Sequence, residues 1–258
     1  MSAVEVSAHV TGRTDAPVVI LSNSLGSTHR MWDAQLSALE QRFQVVRYDT
    51  RGHGDSPVPA GPYTIDDLAD DLVGVLDRFD IASAHVVGLS LGGLTAMRVA
   101  IRNPERVDAL ALLCTAACFA PAQPWLDRAA TVRADGTGAI ADTILTRWFT
   151  AEYLADERNT DTVAWYRAMI AGTPAEGYAG CCEALATADV RGELGAIKAS
   201  TLAIAGADDP ATPPDRLAEI VDAVPDGRLE VIGHAAHLAN AQRPQEITPL
   251  LLDHLEHS

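Results

Sequence analysis

Residues 88–92 read Gly-Leu-Ser-Leu-Gly, a G-x-S-x-G pentapeptide between an apolar run at 84–87 and a helix-forming stretch at 91–100. A strand–turn–helix context of this kind forces the serine hydroxyl out at the carboxyl end of a sheet. The first amides of the helix then face any negative charge that forms beside it. The two glycines are expected because strand and helix approach too closely for side chains. A chance match in a glycine-rich turn is the alternative, but the flanking elements favour Ser90 as a nucleophile.

On both sides of this turn, short β-rich runs alternate with amphipathic stretches. This alternation is typical of an α/β fold with a mostly parallel sheet and helices on both faces. Strands are predicted at 18–21, 43–48, 84–87, 107–113, 201–205 and 229–232, and helices at 64–79, 91–100 and 244–255. From 119 to 197 the spacing is helical and shows no strand. We therefore predict a core formed by 1–118 and 198–258, and a helical lid, residues 119–197, inserted over the carboxyl edge of the sheet.

The composition limits the class of function. A chain of 258 residues with 48% hydrophobic residues is long enough for one large α/β domain with a packed core. Its formal net charge of −16 argues against nucleic acid and anionic membrane surfaces as partners. The same charge repels an anionic small molecule at long range, so binding one would require local positive charge.

The cysteines and the amino-terminal residues indicate a compartment. Four cysteines in a chain of this length form neither a disulfide framework nor the spacing of zinc ligands, so we expect reduced thiols and no metal site. No basic segment followed by an apolar segment is visible at the start, and no apolar run approaches the ~20 residues that span a bilayer. The expectation is a soluble cytoplasmic protein.

A serine hydroxyl needs a base to take its proton and an acid to orient that base. In an open α/β sheet these groups come from loops at the carboxyl ends of other strands. The loop after 201–205 offers Asp209, with Asp208 as the alternative, and the loop after 229–232 offers His237, with His234 as the alternative. Ser, Asp, His is the chain order of the α/β-hydrolases. We predict Ser90, Asp209 and His237 as the catalytic residues.

Acyl transfer also requires donors for a developing oxyanion. We expect one to be the backbone amide of Leu91, directly after the nucleophile. The other is the amide of Leu25, in the loop after 18–21, with Ser24 nearby; the alternative is that this loop is only a turn. His53, in the segment 49–56, is interpreted as a residue that braces a loop.

Several segments along nearly the whole chain resemble the 3-oxoadipate enol-lactonases, a family of the α/β-hydrolases. The segments that carry the resemblance are Ser22–Gly26, Met31–Asp33, Tyr48–Ser56, Arg147–Thr150, Gly177–Leu185, Asp209–Pro213 and Ala235–Asn240. The Ser/Asp/His pattern specifies only the superfamily, whereas the lid segments and the Ser-Asn-Ser-Leu-Gly loop narrow it. The chain departs from the family at 241–244, where a glutamate before Gln-Pro is common.

The resemblance implies a small-molecule lactone as the substrate, opened to 3-oxoadipate in bacterial aromatic-acid catabolism, with no cofactor. It also implies a carboxylate on the substrate, which an arginine inside the lid would bind. The candidates are Arg128, Arg133 and Arg147, with Trp148 as an apolar or N–H-donating wall. The alternatives are that each arginine lies on the surface and that Trp148 belongs to the packed interior of the lid.

Other functions use the same residues. The triad could cleave a carbon–carbon bond in a ring-cleavage product, or hydrolyse unrelated carboxylic esters. A non-catalytic, ligand-binding member of the fold would not need an intact triad, and here all three residue types are present.

Overall fold

A seven-stranded sheet forms the centre of the protein in the computed structural model, which describes residues 3–257. The strands are β1 (Ala8–Gly12), β2 (Val18–Ser22), β3 (Gln44–Tyr48), β4 (Ala84–Leu89), β5 (Val107–Leu113), β6 (Ser200–Gly206) and β7 (Gly227–Ile232). Their order across the sheet is β1-β3-β2-β4-β5-β6-β7. Only the pairing of β1 with β3 is antiparallel. The predicted mostly parallel sheet is therefore confirmed.

Helices connect and cover the strands. The α-helices are α1 (Asp33–Glu40), α2 (Ile65–Arg78), α3 (Leu91–Arg102), α4 (Gln123–Asp135), α5 (Ala141–Trp148), α6 (Ala151–Ala155), α7 (Thr160–Ala171), α8 (Ala175–Thr187), α9 (Pro214–Ala223), α10 (Ala239–Gln242) and α11 (Pro244–Glu256). Short 3₁₀ helices lie at His29–Trp32, Pro104–Arg106, Thr137–Ile140, Glu157–Asn159 and Arg191–Ala196. Helix α3 contacts α2, β4 and β5, α9 contacts β6 and β7, and α1 contacts α11.

The sheet is apolar because its central strands are covered on both sides. Strand β4 is buried at every position, and β5 is buried at all but one. Parallel strands buried on both faces appear in a sequence as continuous apolar runs, which is the signal that predicted them. Helix α2 begins at a capping box, in which the Thr64 hydroxyl accepts from the Asp67 amide and the Asp67 carboxylate accepts from the Thr64 amide.

The chain between β5 and β6 is helical apart from one isolated bridge between Cys118 and Asp189. Its two ends meet there, since the Val190 amide donates to the Ala117 carbonyl at 2.9 Å. Helices α4 and α8 pack against each other within this segment. The lid boundaries at 119 and 197 stay predictions.

None of the helices within residues 3–257 is long and apolar enough to cross a membrane. All four cysteines have free thiols.

Candidate active site

Ser90 lies at a strained turn between β4 and α3. Its backbone has φ 59° and ψ −116°, a conformation that a residue with a side chain rarely adopts. The Ser90 amide donates to the Leu113 carbonyl at 3.0 Å, and the Thr115 hydroxyl donates to the Ser90 carbonyl at 2.7 Å. These two bonds fix the turn to the end of β5.

The two glycines of the pentapeptide are required by close packing. A Cβ on Gly88 would meet the carbonyl of Gly92, and a Cβ on Gly92 would meet the carbonyl of Ser22. The strand, the turn and the helix can therefore approach each other only without side chains at these two positions.

Asp209 and His237 are hydrogen-bonded to each other. His237 Nδ1 lies 2.8 Å from Asp209 Oδ2. The other carboxylate oxygen, Oδ1, accepts from the amides of Ala211 at 2.8 Å and Thr212 at 3.1 Å, and the Thr212 hydroxyl donates to Oδ2 at 2.6 Å. Asp209 is thus held by its own loop in the orientation that faces the imidazole.

Asp209 is suited to remain ionised. Burial opposes its ionisation, but His237 and the donors from Thr212 and Ala211 outweigh burial, so the pKa of the carboxyl is lowered. The alternatives lie elsewhere: Asp208 is exposed, and His234 is exposed on a turn with φ 55°. The structure brings together the preferred residue of each loop.

Ser90 and His237 line the same pocket, a cavity of about 210 Å³. Among residues 3–257, neither the Ser90 hydroxyl nor His237 Nε2 has a hydrogen-bond partner. Catalytic hydrogen bonds are often long in unliganded enzymes and shorten with substrate. The remaining polar atoms of both side chains are therefore free to bind a ligand.

The backbone amides of Leu25 and Leu91 have no acceptor among the described residues. Leu91 is the first residue of α3, where helix amides have no intrahelical partner. Leu25 and the adjacent Ser24 both line the pocket. Both amides are thus free to donate, and their role as oxyanion donors stays a prediction.

His53 braces the loop that contains Leu25. Its Nε2 accepts from the Gly26 amide at 3.0 Å, and its Nδ1 lies 3.2 Å from the Arg51 carbonyl. Because a carbonyl only accepts, Nδ1 carries the proton and the ring is neutral. Burial lowers the pKa of His53 to about 4.

Two arginines at the pocket lack a carboxylate partner. Every other arginine within residues 3–257 lies within 4.0 Å of an aspartate or glutamate, but Arg128 and Arg147 do not. Burial and the neighbouring charge of Arg128 lower the pKa of Arg147. The residues found to line the pocket include no acidic side chain. Uncompensated positive charge therefore faces this cavity.

Of the two remaining candidates, one lines the pocket and the other does not. Trp148 is buried, lines the pocket and makes an edge contact with the ring of Tyr166 at 5.9 Å. Arg133 does not line the pocket, because its guanidinium binds Glu176 at 2.8 Å and Glu183 at 2.6 Å. The candidate role of Arg133 in binding the substrate is therefore corrected: its charge is already neutralised by two carboxylates.

Sequence reasoning missed several lining residues, of which Tyr178 is the most informative. Its ring packs against Gly26, next to the Leu25 amide. Burial raises the pKa of Tyr178, while Arg128 and Arg147 act in the opposite direction because both lie near its hydroxyl. Its only sequence signal is its position in the lid segment that resembles the family. Arg216, which pairs loosely with Glu219 at 3.8 Å, also lines the pocket and was not predicted.

This arrangement can activate a serine hydroxyl, bind an oxyanion and hold a ligand carboxylate in one cavity. The fold and this site define an α/β-hydrolase, and a model of the α/β-hydrolase fold family matches residues 17–244. The chain belongs to that family.

Comparison with known proteins narrows the class. The chain is 42% identical to 3-oxoadipate enol-lactonase 2 of Acinetobacter baylyi, over 91% of this chain and 86% of that protein. It is 37% identical to 3-oxoadipate enol-lactonase 1 of the same organism, over 93% and 89%. The crystal structure of the enol-lactonase from Burkholderia xenovorans superposes with a TM-score of 0.95 at 40% identity, covering 98% of this chain and 96% of that one. The protein is an enzyme that hydrolyses esters or lactones, and the predicted α/β-hydrolase fold and enol-lactonase resemblance are confirmed.

Proposed function

We propose that this enzyme opens 3-oxoadipate enol-lactone to 3-oxoadipate, with Ser90 as nucleophile, His237 as general base and Asp209 as the orienting acid. The observation that carries the proposal is the cavity itself. It holds Ser90, an Asp209-bound His237 and two arginines without carboxylate partners. A hydrolase of neutral esters does not need this positive charge. A hydrolase whose lactone substrate bears a free carboxylate needs it to bind that carboxylate.

The proposed reaction begins with acylation. His237 takes the Ser90 proton, and Ser90 Oγ bonds to the lactone carbonyl carbon. The amides of Leu25 and Leu91 bind the resulting oxyanion, each contributing about 3 kcal/mol if already in position. Collapse breaks the ring C–O bond and releases an enolate, which takes up the proton held by His237 and becomes a ketone, so that His237 is neutral again. Because the substrate is cyclic, this leaving group stays attached to the acyl chain.

Deacylation returns the enzyme to its starting state. His237 takes a proton from water, the hydroxide bonds to the acyl carbon, and the Ser90–acyl bond breaks with the proton returned to Ser90. The product carries a new carboxylate in addition to the original one. No step requires a metal or a cofactor.

Arg147 and Arg128 are proposed to bind the carboxylate that the substrate already carries, and Trp148 to form an apolar wall. Arg128 is half-buried and Arg147 is exposed. A guanidinium without a carboxylate partner binds a ligand carboxylate through charge-assisted hydrogen bonds, because no competing carboxylate must be displaced. The cavity of about 210 Å³ is large enough for a small acid. A place in bacterial aromatic-acid catabolism follows from this substrate.

The test is a substrate panel with the wild-type enzyme. We expect rapid loss of the enol-lactone absorbance when the lactone is generated enzymatically in the same cuvette. In the same panel we expect slow turnover of neutral aryl esters and no turnover of ring-fission dienoates. Preference for a dienoate would indicate a carbon–carbon hydrolase, preference for an aryl ester a general carboxylesterase, and no turnover at all a binding protein. Each of these outcomes would overturn the proposal.

A further inference from the structure

The side chains of Gln242, at the end of α10, and of Arg243, directly after it, bond the His237 loop, residues 233–238. Gln242 Oε1 accepts from the Ala236 amide at 3.1 Å, and Nε2 donates to the His234 carbonyl at 3.1 Å. An amide N–H can only donate and a carbonyl can only accept, so these partners fix which end of the Gln242 amide faces each.

The same side chain reaches the lid. The second proton on Gln242 Nε2 is donated to the Thr150 hydroxyl at 2.7 Å. Thr150 caps α6, and its hydroxyl also accepts from the Tyr153 amide at 3.3 Å. Two of the three bonds are local, to residues six and eight positions away, and the third reaches Thr150, 92 positions away. The Gln242 amide therefore links the His237 loop to the lid.

The backbone of the loop depends on such bonds. His234 has φ 55°, a left-handed conformation that a non-glycine residue rarely adopts. Its carbonyl is held by Gln242 and by Arg243 Nε, at 3.1 Å each. The His237 amide donates to the Arg147 carbonyl at 3.3 Å, and the Leu238 amide donates to the Trp148 carbonyl at 3.0 Å. The catalytic histidine is thus attached to the end of α5 on one side and to Gln242 on the other.

We propose that Gln242 is a positioning residue for His237: its amide joins the His237 loop to Thr150 of the lid and keeps the imidazole aligned between Asp209 and Ser90. Gln242 does not line the cavity and does not touch the substrate, so it acts only through the loop. This inference rests on the proposed triad.

The test compares Gln242→Met with Gln245→Met. Methionine keeps the length of glutamine without its hydrogen bonds, and Gln245 is an exposed residue three positions along the chain. We expect Gln242→Met to lower kcat about tenfold or more with KM changed by less than about twofold, because small displacements of a catalytic group reduce rate rather than binding. Gln245→Met should match the wild type. Unchanged kcat in Gln242→Met would overturn the proposal.

A double-mutant cycle separates positioning from a merely structural role. In a His237→Ala background the Gln242→Met change should cause no further loss of residual activity, since the group it positions is gone. A further tenfold loss would mean that Gln242 only supports the pocket and would overturn the proposal. If Gln242→Met fails to fold, Thr150→Val removes only the hydrogen bond between Gln242 and the lid. This variant should also lower kcat, but by less than tenfold. An unchanged kcat in Thr150→Val would then overturn the proposal.

Assays with both the lactone and p-nitrophenyl acetate, with Ser90→Ala in parallel, keep this result separate from the proposed function. Failure of the substrate assignment shows as acetate turnover without lactone turnover, whereas failure of the Gln242 proposal shows as equal kcat for wild type and Gln242→Met on whichever substrate is used.

Discussion

At Arg128 and Arg147, positive charge is left without a neutralising carboxylate in a chain whose formal net charge is −16. Carboxylates are abundant enough that the other arginines in residues 3–257 all have one. Burial, and then the neighbouring charge of Arg128, lower the pKa of Arg147. A bound anion would offset both effects.

Replacing either arginine should therefore affect binding of the charged substrate. We expect Arg147→Met and Arg128→Met each to raise KM for the lactone about 10- to 100-fold, the equivalent of one lost charge-assisted hydrogen bond. Steady-state kinetics measure this, with a neutral aryl ester as the insensitive comparison. Arg133→Met is the matched control, because that guanidinium already has two carboxylate partners. Equal KM values for Arg147→Met, Arg128→Met and the control would contradict the assignment.

His53 supplies a prediction on pH. Its folded pKa of about 4 lies below its ordinary value of 6.5, so the unfolded chain binds the proton first as the pH falls. Stability is then full above pH 6.5 and declines towards pH 4, by about 3 kcal/mol from this group, at 1.36 kcal/mol per pKa unit. His53→Gln stays neutral, so its free energy of unfolding, measured with urea, should fall by about 3 kcal/mol less between pH 7 and pH 4 than that of the wild type. Parallel curves for the two proteins would show that His53 titrates normally.

At the scale of elements, the strand–turn–helix around Ser90 is fixed by close backbone contact. Gly92 of α3 lies against the Ser22 carbonyl of β2, so α3 sits nearer the sheet than a side chain would permit. This contact sets the position of Ser90 and of the Leu91 amide together, because both belong to the first turn of the same helix.

Adding one methyl group should displace that helix. Gly92→Ala is expected to destabilise the protein by about 1–3 kcal/mol, the usual cost of overpacking, and to lower kcat as well. Gly74→Ala in α2 is the comparison: its Cβ would lie 3.8 Å from Ala3, an ordinary contact, so it should stabilise by about 0.5–1 kcal/mol. Denaturant titrations of both variants measure the difference, and a stable, fully active Gly92→Ala would exclude this account of the turn.

The elements show how far sequence reasoning extends. Apolar runs predicted β2 to β7, and Thr64 as a cap with an apolar helix face predicted α2, all within one or two residues. Strand β1 was missed because it is an edge strand whose residues are half-buried or exposed, so it lacks an apolar run. Helices α1 and α9 were also not predicted.

The candidate site likewise contains residues that the sequence could predict and residues that it could not. Ser90, Asp209 and His237 follow strands, so their meeting at one edge of the sheet follows from topology. Tyr178 and Gln242 do not follow strands; they reach the site through packing between the lid and the core, which no local pattern records. The pairing of Arg133 with Glu176 and Glu183 joins α4 to α8 and was unpredictable for the same reason.

On the scale of the whole molecule, the protein has 35 acidic residues against 19 basic ones. The resulting field repels an anionic substrate at a distance, whereas Arg128 and Arg147 attract it at contact. Salt at about 0.15 M screens interactions between exposed charges beyond ~8 Å more than it weakens a contact at hydrogen-bond distance. The two effects therefore respond differently to ionic strength.

Raising the salt concentration should favour the charged substrate. We expect kcat/KM for the lactone to rise, by about twofold, between 10 and 150 mM salt, because the long-range repulsion is screened first. A neutral aryl ester should show no such change. A steep fall in kcat/KM for the lactone over this range would show that attraction dominates at long range instead.

The proposed mechanism depends most on Ser90 acting as the nucleophile. The rate of lactone opening by Ser90→Ala, compared with the wild type and with spontaneous hydrolysis, tests this directly, with circular dichroism to verify the fold. We predict a loss in kcat of roughly four orders of magnitude or more, as for other serine hydrolases that lose this group. A folded Ser90→Ala that retains a rate within about tenfold of the wild type would contradict the mechanism.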